Sequence, residues 1–142
     1  MDITTEQRGK IGEMGNKYNL RFVILHGSYA KNTVHQGSDL DIAILGKEPV
    51  DFDAQLKIFG EFEELFGNSK ERELDLKTLH GVDSLFRYEV TRDGDLLFGD
   101  QTAYEEFKAY AYRDYMDSRD LRELEFSLLK KSINSLTRRY AH

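Results

Sequence analysis

FVILHGSYAKNTVHQGSDLDIAILG, residues 22–46, decides the fold. The run Leu20–His26 is β-branched and aromatic and stops at Gly27-Ser28, which predicts a buried strand entering a tight turn. Gly27–Val34 predicts that turn opening a short helix. Asp39–Gly46, DLDIAILG, predicts a second strand buried on both faces over most of its length. Asp39 and Asp41 stand two residues apart at its start. The two-residue period of a strand puts both carboxylates on one face.

Outward from this segment the pattern alternates. Upstream, Thr4 or Thr5 caps a helix with Glu6 in its first turn and Ile3, Ile11 and Met14 as a sparse apolar stripe; Gly15-Asn16 is its expected end. Downstream, Pro49 and Asp51 open a helix over Asp51–Phe66. Its apolar positions are Phe52, Leu56, Phe59, Phe62 (or Ile58) and Phe66, and Gly67-Asn68 is its stop. Arg72–Leu79 sets Leu74, Leu76 and Leu79 against Glu73, Asp75 and Lys77, a half-exposed strand. Val82–Asp93 is helical, with Leu85, Phe86 and Val90 at helical spacing and Gly94 as its cap. Leu96–Phe98 is a short edge strand, and Gln101 to about Tyr140 is two helices or one bent one. The order predicts an α/β (α+β) fold, a small mixed β-sheet packed on helices with a helical C-terminal tail. Residues 1–100 are the expected core and 101–142 a helical extension packed on that core or on a partner.

Composition narrows the chemistry. The 142 residues contain no cysteine, which excludes a disulfide scaffold, a Cys-ligated zinc site and a thiol nucleophile. No apolar run is long enough for a membrane span, and Met1–Lys10 lacks the apolar region of a signal peptide. The expectation is a soluble, cytoplasmic protein with no membrane partner. The net charge of −6 disfavours a nucleic-acid backbone as partner. Residues 1–111 carry 13 Lys+Arg against 21 Asp+Glu, whereas residues 112–142 carry 7 against 5: an acidic body with a mildly basic tail.

Asp75 falls on the polar face of its strand. If that strand neighbours Asp39–Gly46, three carboxylates converge. Two carboxylates about 4 Å apart repel by roughly 1 kcal/mol in water and about 4 kcal/mol at an effective dielectric of 20. A divalent cation removes that repulsion. Magnesium takes oxygen ligands, typically one or two carboxylates together with substrate phosphates. A glycine turn at a helix start lets backbone N–H groups approach phosphate. Cradle and carboxylates together suit phosphoryl or nucleotidyl transfer. Alone, a D-x-D at a strand start is more often solvated, and a Gly-Ser turn is weaker still; the specificity lies in their conjunction.

That conjunction, Gly27-Ser28, ten residues, then Asp39-Leu40-Asp41, resembles the signature of the nucleotidyltransferase superfamily that includes DNA polymerase β. It resembles in particular the minimal nucleotidyltransferases that act as antitoxins in HEPN–MNT toxin–antitoxin pairs. The resemblance covers residues 20–79, and the chain length suits the minimal members. It implies a polymerase β palm-like nucleotidyltransferase fold. It further implies transfer of AMP from ATP to a tyrosine hydroxyl of a HEPN-domain toxin. Gly27 and Ser28 would hold the nucleotide's phosphates, with Lys31 and Ser38 beside them. Asp39 and Asp41 would bind two Mg2+ ions. Asp75 would bind the metal nearer the incoming hydroxyl and help it lose its proton. The family often continues Arg-Ala-Arg-Gly after Gly-Ser; here the residues are Tyr29-Ala30-Lys31-Asn32. Asn32 tolerates the left-handed conformation glycine would serve. Lys31 keeps a charge without the fork of Arg, and Tyr29 removes a cation. Two rival functions stay open. One is a catalytically degenerate antitoxin that neutralises its partner by binding alone. The other is a nucleotidyltransferase acting on a small molecule with a partner subunit. A homo- or hetero-oligomer is compatible with either.

Several residues carry two readings. Glu73 competes with Asp75 as the third carboxylate, since both point the same way. Lys77 either contacts a phosphate or is a solvated surface lysine. His26 either touches the nucleotide or is a strand-end histidine held by a backbone hydrogen bond. His35 and Gln36 are candidates for contact with the base, and Ser38 for orienting Asp39. Tyr104, Phe107, Ala111 and Tyr115 share one helical face, which packs on the sheet or meets a partner; Tyr110, Tyr112 and Arg113 fall off that face. Lys130, Lys131, Arg138 and Arg139 form a basic tail face.

Overall fold

The structure, a computed structural model, describes residues 1–35 and 37–140. The chain runs α1 (Thr5–Lys17), β1 (Leu20–His26), α2 (Ser28–Lys31), β2 (Leu40–Gly46), α3 (Phe52–Phe66), β3 (Leu74–Thr78), α4 (Ser84–Asp93), β4 (Asp95–Phe98) and α5 (Gln101–Tyr140). The sheet order is β3-β2-β1-β4. β1 pairs antiparallel with β2 and with β4, and β2 pairs parallel with β3. A parallel pair needs a crossover, and α3 supplies it.

Helices cover both faces of the central strands. On one face Val23, Leu25, Ile42 and Ile44 pack with Ile11 of α1 and Ile58 and Phe62 of α3. On the other, Phe22, Ile24, Ala43 and Leu45 pack with Val90 of α4 and Tyr104 of α5. This two-sided burial explains why β1 and β2 read as unbroken apolar runs.

The helices differ from the sequence reading in detail. Thr4 caps α1 with a full capping box: its hydroxyl accepts from Gln7 N–H at 3.1 Å while Gln7 Oε1 accepts from Thr4 N–H at 3.0 Å. The helix does not stop at Gly15-Asn16 but runs on to Lys17. Gly15 serves packing instead, because a Cβ there would come within 2.5 Å of the Phe98 ring of β4. In α3 the buried stripe is Ile58, Phe62 and Phe66, whereas Phe52 and Leu56 are 72% and 54% exposed. At about 100° per residue, Leu56 lies well round the helix from the sheet-facing line, and Phe52 is the first residue of the helix. Finally, α5 is a single 40-residue helix, the one-helix alternative of the sequence reading. No glycine or proline occurs between residues 101 and 140 to break it.

The first half of α5 is tied to the body. Tyr104 and Ala111 are buried. Tyr104 meets Phe22 edge to face at 5.5 Å, and Tyr115 stacks on Tyr88 of α4 at 4.7 Å. Arg87 pairs with Asp114 at 3.2 Å, and Arg122 reaches Ser84 Oγ at 3.0 Å. The inward-packing reading of the Tyr104/Phe107/Ala111/Tyr115 face thus holds, while Tyr110 and Tyr112 are about half exposed. Among the described residues no helix is long and apolar enough to cross a membrane.

Candidate active site

His26, Asp41 and Asp75 form a row across three adjacent strands: His26 is the register partner of Asp41, and Asp41 of Asp75. Directly opposed residues share a face. It is the face on which α4 packs, at the end of the sheet where β1 leaves and β2 and β3 begin. Asp39, exposed just ahead of β2 and two residues from Asp41, is near enough for its charge to be felt there. The sequence-predicted carboxylates therefore converge.

Their electrostatics agree with that placement. Asp41 is pushed up to about 6, chiefly by burial, then by the charges of Asp75 and Asp39 and by a hydrogen bond with Asp75. Asp75 is thus the third carboxylate felt at Asp41. Glu73 lies exposed ahead of β3, where its carbonyl accepts from Leu40 N–H at 2.8 Å. Lys77 forms an ion pair with Asp75 at 3.6 Å. No three acidic or histidine side chains stand in a closed coordination shell among the described residues. The oxygen-only donor set and the crowding that raises Asp41 nevertheless fit a hard divalent cation, whose charge would hold all three groups ionised.

Gly27 is required where it sits. Its φ of +72° and ψ of −154° are disfavoured for any side-chain-bearing residue. A Cβ at Gly27 would also penetrate Asp41 Oδ2. The exit of β1 therefore passes directly under the Asp41 carboxylate, and glycine turn and acidic row are one site. Ser28 opens α2, whose last turn closes on Asn32 in the left-handed conformation (φ 58°), as Asn32 was expected to allow. Lys31 pairs with Asp93 at 3.3 Å, at the end of α4. Tyr29 packs against the α1/α3 side of the core, with the Arg72 guanidinium 5.8 Å from its ring.

Ser38 is buried. Its hydroxyl accepts from His35 N–H at 2.9 Å and its N–H donates to the His35 carbonyl at 3.0 Å. It thereby closes the loop that delivers Asp39. Gln36 lies outside the described residues. His26 departs from its expected backbone hydrogen bond. It is only 8% exposed, its ring stands edge-on to Phe86 at 5.9 Å, and Nε2 has no hydrogen-bond partner among the described residues. Burial lowers it to about 4, partly opposed by the charge of Asp75. No pattern around position 26 announced this, because Phe86 reaches it from α4.

Residues 9–103 match the family described as polymerase beta, nucleotidyltransferase. The chain belongs to this nucleotidyltransferase family. A Methanocaldococcus jannaschii protein provisionally named a protein adenylyltransferase is 30% identical over 121 residues, 83% of this chain and 88% of its own. The protein adenylyltransferase MntA of Shewanella oneidensis is 30% identical over 82 residues, 58% of this chain and 56% of its own. Two solved structures share the nucleotidyltransferase fold. A toxin–antitoxin crystal structure with AMP-PNP has a TM-score of 0.70 at 23% identity, over 87% of this chain and 98% of that one. A chain of the complex of a tri-AMPylated Shewanella oneidensis HEPN toxin with an MNT antitoxin has 0.65 at 21%, over 87% and 95%.

Proposed function

We propose that this nucleotidyltransferase is a magnesium-dependent protein adenylyltransferase. In this reading it moves AMP from ATP to a tyrosine hydroxyl of a HEPN-domain toxin and so acts as its antitoxin in the cytoplasm. The observation that carries the reading is the row of acidic groups: Asp41 shares one face with Asp75 and feels the charge of Asp39, directly above Gly27. The protein adenylyltransferases among its relatives and the AMPylated toxin of a fold neighbour suggest the substrate class.

Asp39, Asp41 and Asp75 would hold two magnesium ions, which supply positive charge at the α-phosphate and at the pyrophosphate that leaves. Gly27 and Ser28 bring backbone close to the triphosphate, with no side chain between it and Asp41. Asp75 accepts the proton of the tyrosine hydroxyl as its oxygen forms a bond to the α-phosphorus and the bond to pyrophosphate breaks. Lys31 reaches the phosphates only on leaving Asp93. Ser38 keeps Asp39 in place through the loop it closes.

Purified chain, radiolabelled ATP, magnesium and the HEPN-domain partner should give labelled partner. Asp39→Asn and Asp41→Asn should each reduce labelling at least a hundredfold while leaving the fold's circular dichroism unchanged. Normal labelling by either variant would refute the site. Tight co-purification of an unlabelled pair would establish an antitoxin that works by binding alone.

A further inference from the structure

The last stretch of α5 points to a second copy of this chain. From Glu123 to Arg139 every side chain is exposed. Among the described residues, Arg122, through Ser84 and Asp83, makes the last hydrogen bond and ion pair between α5 and the start of α4. Beyond it the helix continues for about 27 Å at 1.5 Å per residue. This overhang is not a polar tail. Phe126, Leu129, Ile133 and Leu136 are 53–68% exposed. Their spacing of three, four and three residues places them on one line. That line continues the face that Tyr104, Ala111 and Tyr115 turn towards the body. At its root lies a cleft lined by Asp83, Leu85, Tyr115, Arg119, Arg122 and Phe126.

Two features select the occupant. The stripe is symmetric about position 131: in an antiparallel pairing, Phe126 of each copy meets Leu136 of the other, and Leu129 meets Ile133. A two-fold interface needs such self-complementarity. The charges are divided to match. Within residues 123–140 the acids Glu123 and Glu125 come first, and Lys130, Lys131, Arg138 and Arg139 follow with no further acid. Antiparallel pairing about position 131 sets Glu123 and Glu125 of each copy beside Arg138 and Arg139 of the other. A parallel pairing would stack the four cations of one copy on those of the other. Lys130, at the solvent rim near the axis, meets its own counterpart, a contact that water and salt screen.

We propose that residues 123–140 form an antiparallel two-helix interface between two copies of this chain, built on Phe126, Leu129, Ile133 and Leu136. The proposal is independent of the adenylyltransferase reading.

Sedimentation velocity on the full chain tests it. The expected mass is twice 16.5 kDa at tens of micromolar. Leu129→Lys combined with Ile133→Lys should give a monomer that still folds and melts within a few degrees of the full protein, since both positions are exposed in the single chain. Leu124→Lys, an exposed position about 100° or more round the helix, should leave the dimer intact. Because the chain has no cysteine, single-cysteine variants report alignment. Leu129→Cys mixed with Ile133→Cys should cross-link to each other in preference to themselves. A monomeric chain throughout this range, a dimer that survives the double lysine variant, or preferential Leu129→Cys self-linking would each overturn the proposal. A monomer whose double lysine variant loses capture of a HEPN-domain partner would assign the stripe to that partner instead.

Discussion

Asp41 and His26 face each other across β1 and β2 and are perturbed in opposite senses. Asp41 titrates at about 6 in the folded chain against 3.8 as a free side chain, so the native state binds its proton more tightly than the unfolded state does. Its contribution to stability therefore falls as pH rises from about 4 to about 6, and the full cost is present above that window. His26 titrates at about 4 against 6.5, so the unfolded state takes up its proton first, and stability is lost as pH falls from about 6.5 to about 4. The two slopes offset each other in the wild type, and a single substitution uncovers them. In EDTA at pH 7.5, Asp41→Asn should melt higher than wild type, and that gap should close towards pH 4. Magnesium should raise the wild-type melting temperature and leave that of the variant unchanged. A variant that melts lower at pH 7.5 would make Asp41 a structural carboxylate. Asp39 and Asp41 were legible in the sequence because they stand two residues apart at the start of an apolar strand. The surroundings of His26 and Lys31 were not, because Phe86 and Asp93 come from α4 and reach them only once the chain has folded.

Strands proved more legible than helix faces. β1 spans Leu20–His26 as its composition predicts, and β2 differs from its predicted start by Asp39 alone. Burial on both sides leaves no register in which those residues could be wet. α3 shows the opposite case. Its apolar residues occupy more of the circumference than the sheet can cover, so the sequence offers several stripes and only the approach of β2 and β3 chooses among them. The structure chooses Ile58, Phe62 and Phe66. Phe62→Ala should then cost about 3–5 kcal/mol, the usual range for a fully buried phenylalanine. Phe52→Ala, at an exposed position, should stay within about 0.5 kcal/mol. Urea unfolding of the two variants measures both, and comparable losses would mean that α3 is rotated on the sheet. Gly15 illustrates why a glycine pair is an ambiguous stop. Where a neighbouring ring must come close, glycine is kept for space and the helix passes through it.

At the scale of the molecule the site and the overhang occupy separate parts of the chain. Every residue assigned to the acidic row, the glycine turn and their supports lies before Gly94, whereas α5 stays attached to the body only as far as Arg122. The charge is divided in the same way, with an acidic body and a basic end. Among the described residues, the ring contacts of α5 with the body, from Phe22 against Tyr104 to Tyr88 against Tyr115, all precede residue 123. A chain ending at Arg122 should therefore fold, melt within a few degrees of the full protein, and bind magnesium-ATP with unchanged affinity in calorimetry. It should also sediment as a monomer at concentrations where the full chain pairs. Loss of the melting transition would show that the overhang supports the fold. Loss of nucleotide binding with the fold intact would show that the site is completed across the pair. In that case the helical extension would belong to the catalytic unit, and chain association would become a requirement for AMP transfer.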